Sequence, residues 1–217
     1  LYHLERIKKG SGKAPEMYLM EGFMDVIAAY RAGIENAVAS MGTALTAEHV
    51  EHLKRFTKKV IITYDGDKAG QAATAKALDE LKDLPVQVVQ IPDAMDPDEY
   101  LQKNSPQDLA YLLTNTRISP VEFYIHHFRP ENSENLQAQI EFIEKIAPLI
   151  AKEPSITAQN SYIHILTDHL PSFDYQQVEH IVNESRVRQR KEKVKETYSP
   201  SPVTMSVTKK LTAVMRA

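Results

Sequence analysis

YLMEGFMDVIAAY, residues 18 to 30, is the stretch on which the fold turns. With Met17 it opens as four apolar residues, 17 to 20, a length that suits a strand buried on both faces. One carboxylate, Glu21, then stands directly before Gly22, and apolar residues resume at helical spacing through Tyr30. A glutamate between a buried-type strand and a glycine has no capping role, so its charge calls for another explanation.

Outward from this stretch the same rhythm repeats. Further β-type runs lie at NAVAS (36–40), VIITY (60–64) and VQVVQ (86–90). Helical patterns fall between them at DVIAAYRAG (25–33), TAEHVEHLKRF (46–56, with Thr46 as N-cap) and KAGQAATAKALDELK (68–82). Such alternation predicts an α/β fold, a mostly parallel sheet with flanking helices. From Ser105 the β signals stop and successive helical patterns follow, punctuated by Ser105-Pro106, Ser119-Pro120, Pro130, Pro154 and Pro171. The expected organisation is a sheet subdomain over 1–104, an all-α helical bundle over 105–196, and a linker with the start of a further, truncated domain over 197–217. A chain that begins at Leu1 and ends in KKLTAVMRA reads as an excised fragment.

The 217 residues are 42% hydrophobic, enough for a proper core, and no run is long and apolar enough for a membrane span. The N-terminus has no secretory pattern, so the expected setting is the cytoplasm, with no membrane partner. Zero cysteines exclude disulfides and thiolate zinc sites within this chain, so a metal site here must be oxygen-rich. The net charge of −3 says little beside where the carboxylates fall.

In open α/β sheets the ligand crevice lies beyond the carboxyl ends of the strands. Glu21 is at such an end, Asp65 and Asp67 follow the third strand in YDGDKAG, and Asp93, Asp96, Asp98 and Glu99 follow the fourth in IPDAMDPDEY. Carboxylates brought to one edge repel one another unless a cation intervenes, and Mg²⁺ with oxygen ligands and open positions for phosphates is the natural candidate. Gly66 lets the Asp-Gly-Asp backbone turn tightly. The chemistry this suits is metal-dependent phosphoryl or nucleotidyl transfer. Plainer roles stand beside these: Asp25 as a first-turn helix residue, Asp98 and Glu99 as charges at a helix start, Lys68 as a solvated lysine or a triphosphate contact. Gly42 and Thr43 in ASMGTALT either approach a phosphate or form a strand-to-helix loop.

EGFMDV and YDGDKAG resemble the TOPRIM domain shared by bacterial primases, topoisomerases, some nucleases and recombination mediators. With the intervening AGIENAVASMGTALTAEHVEHLKRF and the later PDAMDPDEYL, the chain resembles bacterial replicative DNA primases of the DnaG type, strongly over residues 1 to 110. The resemblance implies the TOPRIM and helical parts of an RNA polymerase domain that synthesises RNA primers on single-stranded DNA. It implies Glu21, Asp65 and Asp67 as a catalytic, metal-binding triad, with Asp25, Asp96 and Asp98 as further acidic residues, and Mg²⁺ or substituting Mn²⁺ as cofactor. Its implied partners are ribonucleoside triphosphates, template and RNA-DNA primer, and a replicative helicase reached through a downstream domain. The family's zinc domain and basic half are not in this sequence, which implies a fragment inactive alone.

Two rival readings fit the same residues. One is a TOPRIM topoisomerase or nuclease, with Tyr100, Tyr111 or Tyr124 as nucleophile, although each sits in an apolar pattern suited to packing. The other is a non-enzymatic helical interaction module using the basic run RVRQRKEKVK, 186–195, which is otherwise a solvated helix face. The pairs His126-His127 and His164 with His169 lack metal-ligand spacing, and Phe123, Tyr124 and Phe128 are expected in the bundle core.

Overall fold

The computed structural model describes residues 1–7 and 13–197, with side chains inside the last helix described to residue 192. Four strands, β1 (Met17–Met20), β2 (Ala37–Ala39), β3 (Val60–Ile62) and β4 (Val86–Val88), form one parallel sheet in the order β2-β1-β3-β4. All four apolar runs identified in the sequence contain a strand, and three are shorter than the run. In the ladder Tyr18 stands beside Ala37 and Ile61, and Leu19 beside Val38 and Ile62.

Strand side chains alternate between two apolar layers, as the period of two requires. Met17, Leu19, Val38, Val60, Ile62 and Val88 pack with residues of α3 (Ala47–Phe56), α4 (Lys68–Glu80) and α7 (Pro120–Phe128). Tyr18, Met20, Ala37, Ala39 and Ile61 pack with α2 (Phe23–Arg31), α5 (Pro97–Lys103) and α6 (Pro106–Asn115). Both faces are thereby covered, which is why β1 reads as an uninterrupted apolar run. A short α1 (Leu4–Ile7) precedes the sheet, and its Leu4 joins the first layer. Phe123, 1% exposed, lies in that same layer, so it packs in the sheet's core and not in a separate bundle.

From β1 the chain crosses through α2 to β2 on one side, then returns past β1 to β3 on the other. The carboxyl ends of β1 and β3 are therefore the topological switch point, where successive connections leave on opposite faces and open a crevice.

The chain divides into two compact units, 1–128 and 129–217. The expected division at 104 differs because α6 packs with α2 and α5, and α7 with β4 and α4, which places both with the sheet. In the second unit α8 (Leu136–Lys152), α9 (Ile156–Thr167) and α10 (Tyr175–Thr197) pack on one another. Pro148 lies inside α8, and Gln189 of α10 donates its Nε2–H to the Pro148 carbonyl at 2.9 Å. The expected linker and truncated domain after residue 197 lie outside the described residues.

Candidate active site

Glu21 and Asp65 meet at the switch point. The main-chain N–H of Asp65 donates to Oε1 of Glu21 at 3.4 Å, joining the ends of two adjacent strands. Burial raises the Glu21 carboxyl above its ordinary pKa, and the charges of Asp67 and Asp96 add to this against the Asp65 hydrogen bond. Asp65 is pushed up to about 6, first by burial and then by Glu21, Asp96, Asp67 and Glu99. Asp25, 4% exposed at the third position of α2, is pushed up to about 7 by burial and by the charges of Asp96 and Asp65, despite main-chain hydrogen bonding from Gly22 and Asp98. The three loops expected from sequence to share one edge thus act on each other electrostatically.

The loops are held by tight backbone contacts. A Cβ on Gly66 would overlap the Ile91 carbonyl oxygen, and the Gly66 N–H donates to the Met95 carbonyl at 2.9 Å. A Cβ on Gly70 would likewise overlap the Asp65 carbonyl oxygen, so the first turn of α4 sits against the site's own backbone. Glycine is required at both places by close approach of main chain.

Several candidate side chains also serve helix ends. Asp67 is the N-cap of α4 and accepts from the Gly70 N–H at 2.7 Å. Asp96 is the N-cap of α5 and accepts from the Glu99 N–H at 2.7 Å. Asp25 accepts from the Gly22 N–H at 2.8 Å. Asp98, in the first turn of α5, accepts from Gln102 Nε2 at 2.9 Å. With oxygens turned to these donors, no three His, Asp or Glu side chains among the described residues are arranged to hold an ion. The donor set nevertheless fits a hard cation in kind: it is all oxygen and bears charges whose repulsion a cation relieves.

The loop after β2 leans on the same point. The Met41 and Gly42 N–H groups donate to the Glu21 carbonyl at 2.9 and 3.4 Å, and the Thr43 hydroxyl donates to the Ser40 carbonyl at 2.8 Å. Gly42 has φ +69°, a conformation natural to glycine. In this arrangement these donors serve the loop. Lys68 is the exposed first residue of α4.

Sequence reasoning missed Tyr64. It is 5% exposed, hydrogen-bonded with Ser40, and its phenol is pushed up to about 12 by burial with Glu21 adding to the shift. The only trace in the sequence is its place at the end of an apolar run. Tyr100 and Tyr124 are partly buried against the two apolar layers, whereas Tyr111 is 66% exposed, so its apolar surroundings in sequence do not translate into packing. No described helix is long and apolar enough to cross a membrane.

The Toprim-like family matches residues 18–101. The DNA primase of Lactococcus lactis is 54% identical over 183 residues, which is 84% of this chain and 29% of that protein. The E. coli primase catalytic core superposes with a TM-score of 0.58 at 27% identity, covering 80% of this chain and 57% of that one. A DnaG primase catalytic domain bound to single-stranded DNA gives a TM-score of 0.60 at 27% identity, covering 77% and 56%. The chain thus spans less than a third of the Lactococcus relative it matches.

Proposed function

Because the chain belongs to the bacterial DnaG-type DNA primases, we propose that it supplies the acidic half of a site that joins ribonucleotides into primers on single-stranded DNA. The observation that carries the reading is the charge-coupled group at the β1–β3 switch point: Glu21, Asp65 and Asp67, with Asp25, Asp96 and Asp98 around them. In the reaction the primer's 3′-hydroxyl oxygen bonds to the α-phosphorus of an incoming ribonucleoside triphosphate and pyrophosphate leaves.

Glu21, Asp65 and Asp67 would hold Mg²⁺, with Mn²⁺ as a substitute. Bound there, the ion would supply charge stabilisation to phosphate oxygens and acidify a coordinated hydroxyl. The chain's own part is to gather the carboxylates, fix Glu21 through the Asp65 N–H and hold the Asp65–Asp67 loop through the Gly66 N–H. Glu21, held at the end of β1 beside the ion, would be placed to receive the hydroxyl proton. Since the chain spans so little of its relatives, templated synthesis and helicase contact are assigned to the longer protein, and metal and nucleotide binding to this segment.

Titration calorimetry of Mn²⁺ into the chain, with and without a ribonucleoside triphosphate, tests this. Binding that vanishes in an Asp65→Asn, Asp67→Asn double variant, and nucleotide affinity that requires the metal, are the expected results. Equal Mn²⁺ binding by the double variant would overturn the assignment.

A further inference from the structure

The basic run beginning at Arg186 has a defined setting in the helical unit. A cavity of about 610 Å³ opens there between the end of α8, the start of α9 and the middle of α10. Its charged lining is Lys152, Arg186 and Arg190 with the single carboxylate Glu153, and Gln159 and Gln189 add amides. Three cations against one carboxylate leave the cavity net positive. Glu153 Oε1 accepts from the Ser155 N–H at 3.5 Å, at the start of α9.

Arg186 is the centre of this arrangement. One terminal nitrogen donates to Oε1 of Gln159, a side chain 5% exposed whose own Nε2 donates to the Glu153 carbonyl. The guanidinium is thus oriented by a buried neutral amide and not by a carboxylate. Its Nε–H is buried and has no acceptor. With a neutral amide as its side-chain partner, the guanidinium's charge is left uncompensated, and the part of it that lines the cavity is open to an anion. Two residues on, Arg188 pairs with Glu184 at 3.7 Å, whereas Lys152, Arg186 and Arg190 form no ion pair among the described residues.

We propose that this cavity is a phosphate site of the helical unit and takes the backbone of a single-stranded nucleic acid. The guanidinium fork matches a phosphate's oxygens better than a point charge does. Arg186 and Arg190 lie one helical turn apart on α10, a spacing that neighbouring phosphates of a flexible strand can follow. Ile156, 71% exposed, lines the same cavity and offers an apolar contact to an unstacked base. The choice of nucleic acid over other polyanions rests on the primase reading; the cavity's preference for an anion does not.

The test is fluorescence anisotropy of labelled oligothymidylate with the 217-residue chain in excess chelator, across a salt series. Chelation removes any metal-dependent contribution of the acidic site. Arg190→Glu should weaken binding about tenfold and shallow the log–log salt dependence by roughly 0.7 for each phosphate that is no longer neutralised. Arg188→Glu makes the same charge change outside the cavity and should weaken binding no more than about twofold. Arg186→Gln should match Arg190→Glu if circular dichroism shows it folded; the exposed Arg190 and Arg188 decide the matter if it is not.

Equal losses at Arg188 and Arg190 would mean diffuse helix charge and overturn the proposal, as would absent or unchanged binding. Competition by tripolyphosphate at equal phosphate concentration would mark a small-anion site, and tighter binding of polyglutamate an acidic protein partner; either overturns the assignment to a strand. Loss of Mn²⁺ binding with oligothymidylate binding intact would remove the nucleotidyl-transfer reading and leave this site standing.

Discussion

The main-chain N–H of Asp65 reaches Oε1 of Glu21 at 3.4 Å across the junction of β1 and β3, so the backbone of one acidic residue fixes the side chain of another. Glu21→Gln keeps an oxygen for that hydrogen bond and removes the charge. Since Glu21 is the largest charge acting on Asp65, the Asp65 carboxyl should then fall from about 6 by roughly half to one unit. Carbon-13 NMR titration of the aspartate carboxyls reads this directly, and an unchanged Asp65 would show that the Glu21 charge does not act on it.

Asp25 gives the metal-free chain an unusual pH dependence. Its pKa is about 7 folded against an ordinary 3.8, so between those values the folded state binds the proton and the unfolded state does not. Stability is therefore fully present below about pH 4 and is lost as pH rises through 7. The loss is on the order of 2–4 kcal/mol, a fall of roughly 4–8 °C or more in melting temperature. Asp65 adds to the same trend with its upper limit near 6. Thermal melts of the sheet unit at pH 5 and pH 8 in chelator should show the decline, and Asp25→Asn, which retains an acceptor for the Gly22 N–H, should flatten it.

Two glycines at the site differ in kind from a third. Alanine at Gly66 or Gly70 drives Cβ into a main-chain carbonyl, of Ile91 or of Asp65, and neither can swing away as a side chain would. Each substitution should cost about 2–3 kcal/mol and weaken Mn²⁺ binding, even though Gly70→Ala raises helix propensity. Gly42 has open space around its missing Cβ and only its φ of +69° to set against alanine. Gly42→Ala should cost about 1 kcal/mol and leave Mn²⁺ binding unchanged. Urea denaturation beside calorimetry separates the two behaviours.

The strands were legible because β1 and β3, flanked by helices on both faces, must be apolar throughout, and few other structures need such runs. Their ends were less so: Ser40 and Tyr64 continue the apolar or small pattern while their backbones leave the ladder. Helices α6 and α7 were visible as helices but not as members of the sheet unit, since a period of 3.6 reports that a face is buried and not what buries it. At the site, Glu21 stood out because no local structural task explains it. Asp67 and Asp96 have such a task as N-caps, and their second relation, the charge coupling to Glu21 and Asp65, depends on strand order, which no local pattern encodes. The first-turn roles expected of Asp25, Asp98 and Glu99 agree with their places in α2 and α5.

The pair hardest to foresee is Glu16 with Arg117, 101 positions apart in sequence. Both terminal nitrogens of Arg117 donate to the Glu16 carboxylate at 2.8 Å, its Nε donates to the Leu113 carbonyl at 3.1 Å, and one terminal nitrogen also meets the Tyr18 hydroxyl. The pair fastens the segment after α6 to the start of β1. The Arg117 side chain is 16% exposed and that of Glu16 26%, so solvent screens the pair only in part. The Arg117 hydrogen bond, followed by charge, holds the Glu16 carboxyl below its ordinary value against burial. Arg117→Met leaves a partly buried carboxylate with only Lys59 nearby, at 3.9 Å, and should cost about 2–4 kcal/mol. Arg117→Lys should recover less than half of that, because an ammonium cannot make the two parallel hydrogen bonds. Adding Glu16→Gln to Arg117→Met should restore about 1 kcal/mol or more by removing the stranded charge. A double-mutant cycle in urea measures this coupling; strict additivity would mean that Arg117 acts through Tyr18 and Leu113 alone.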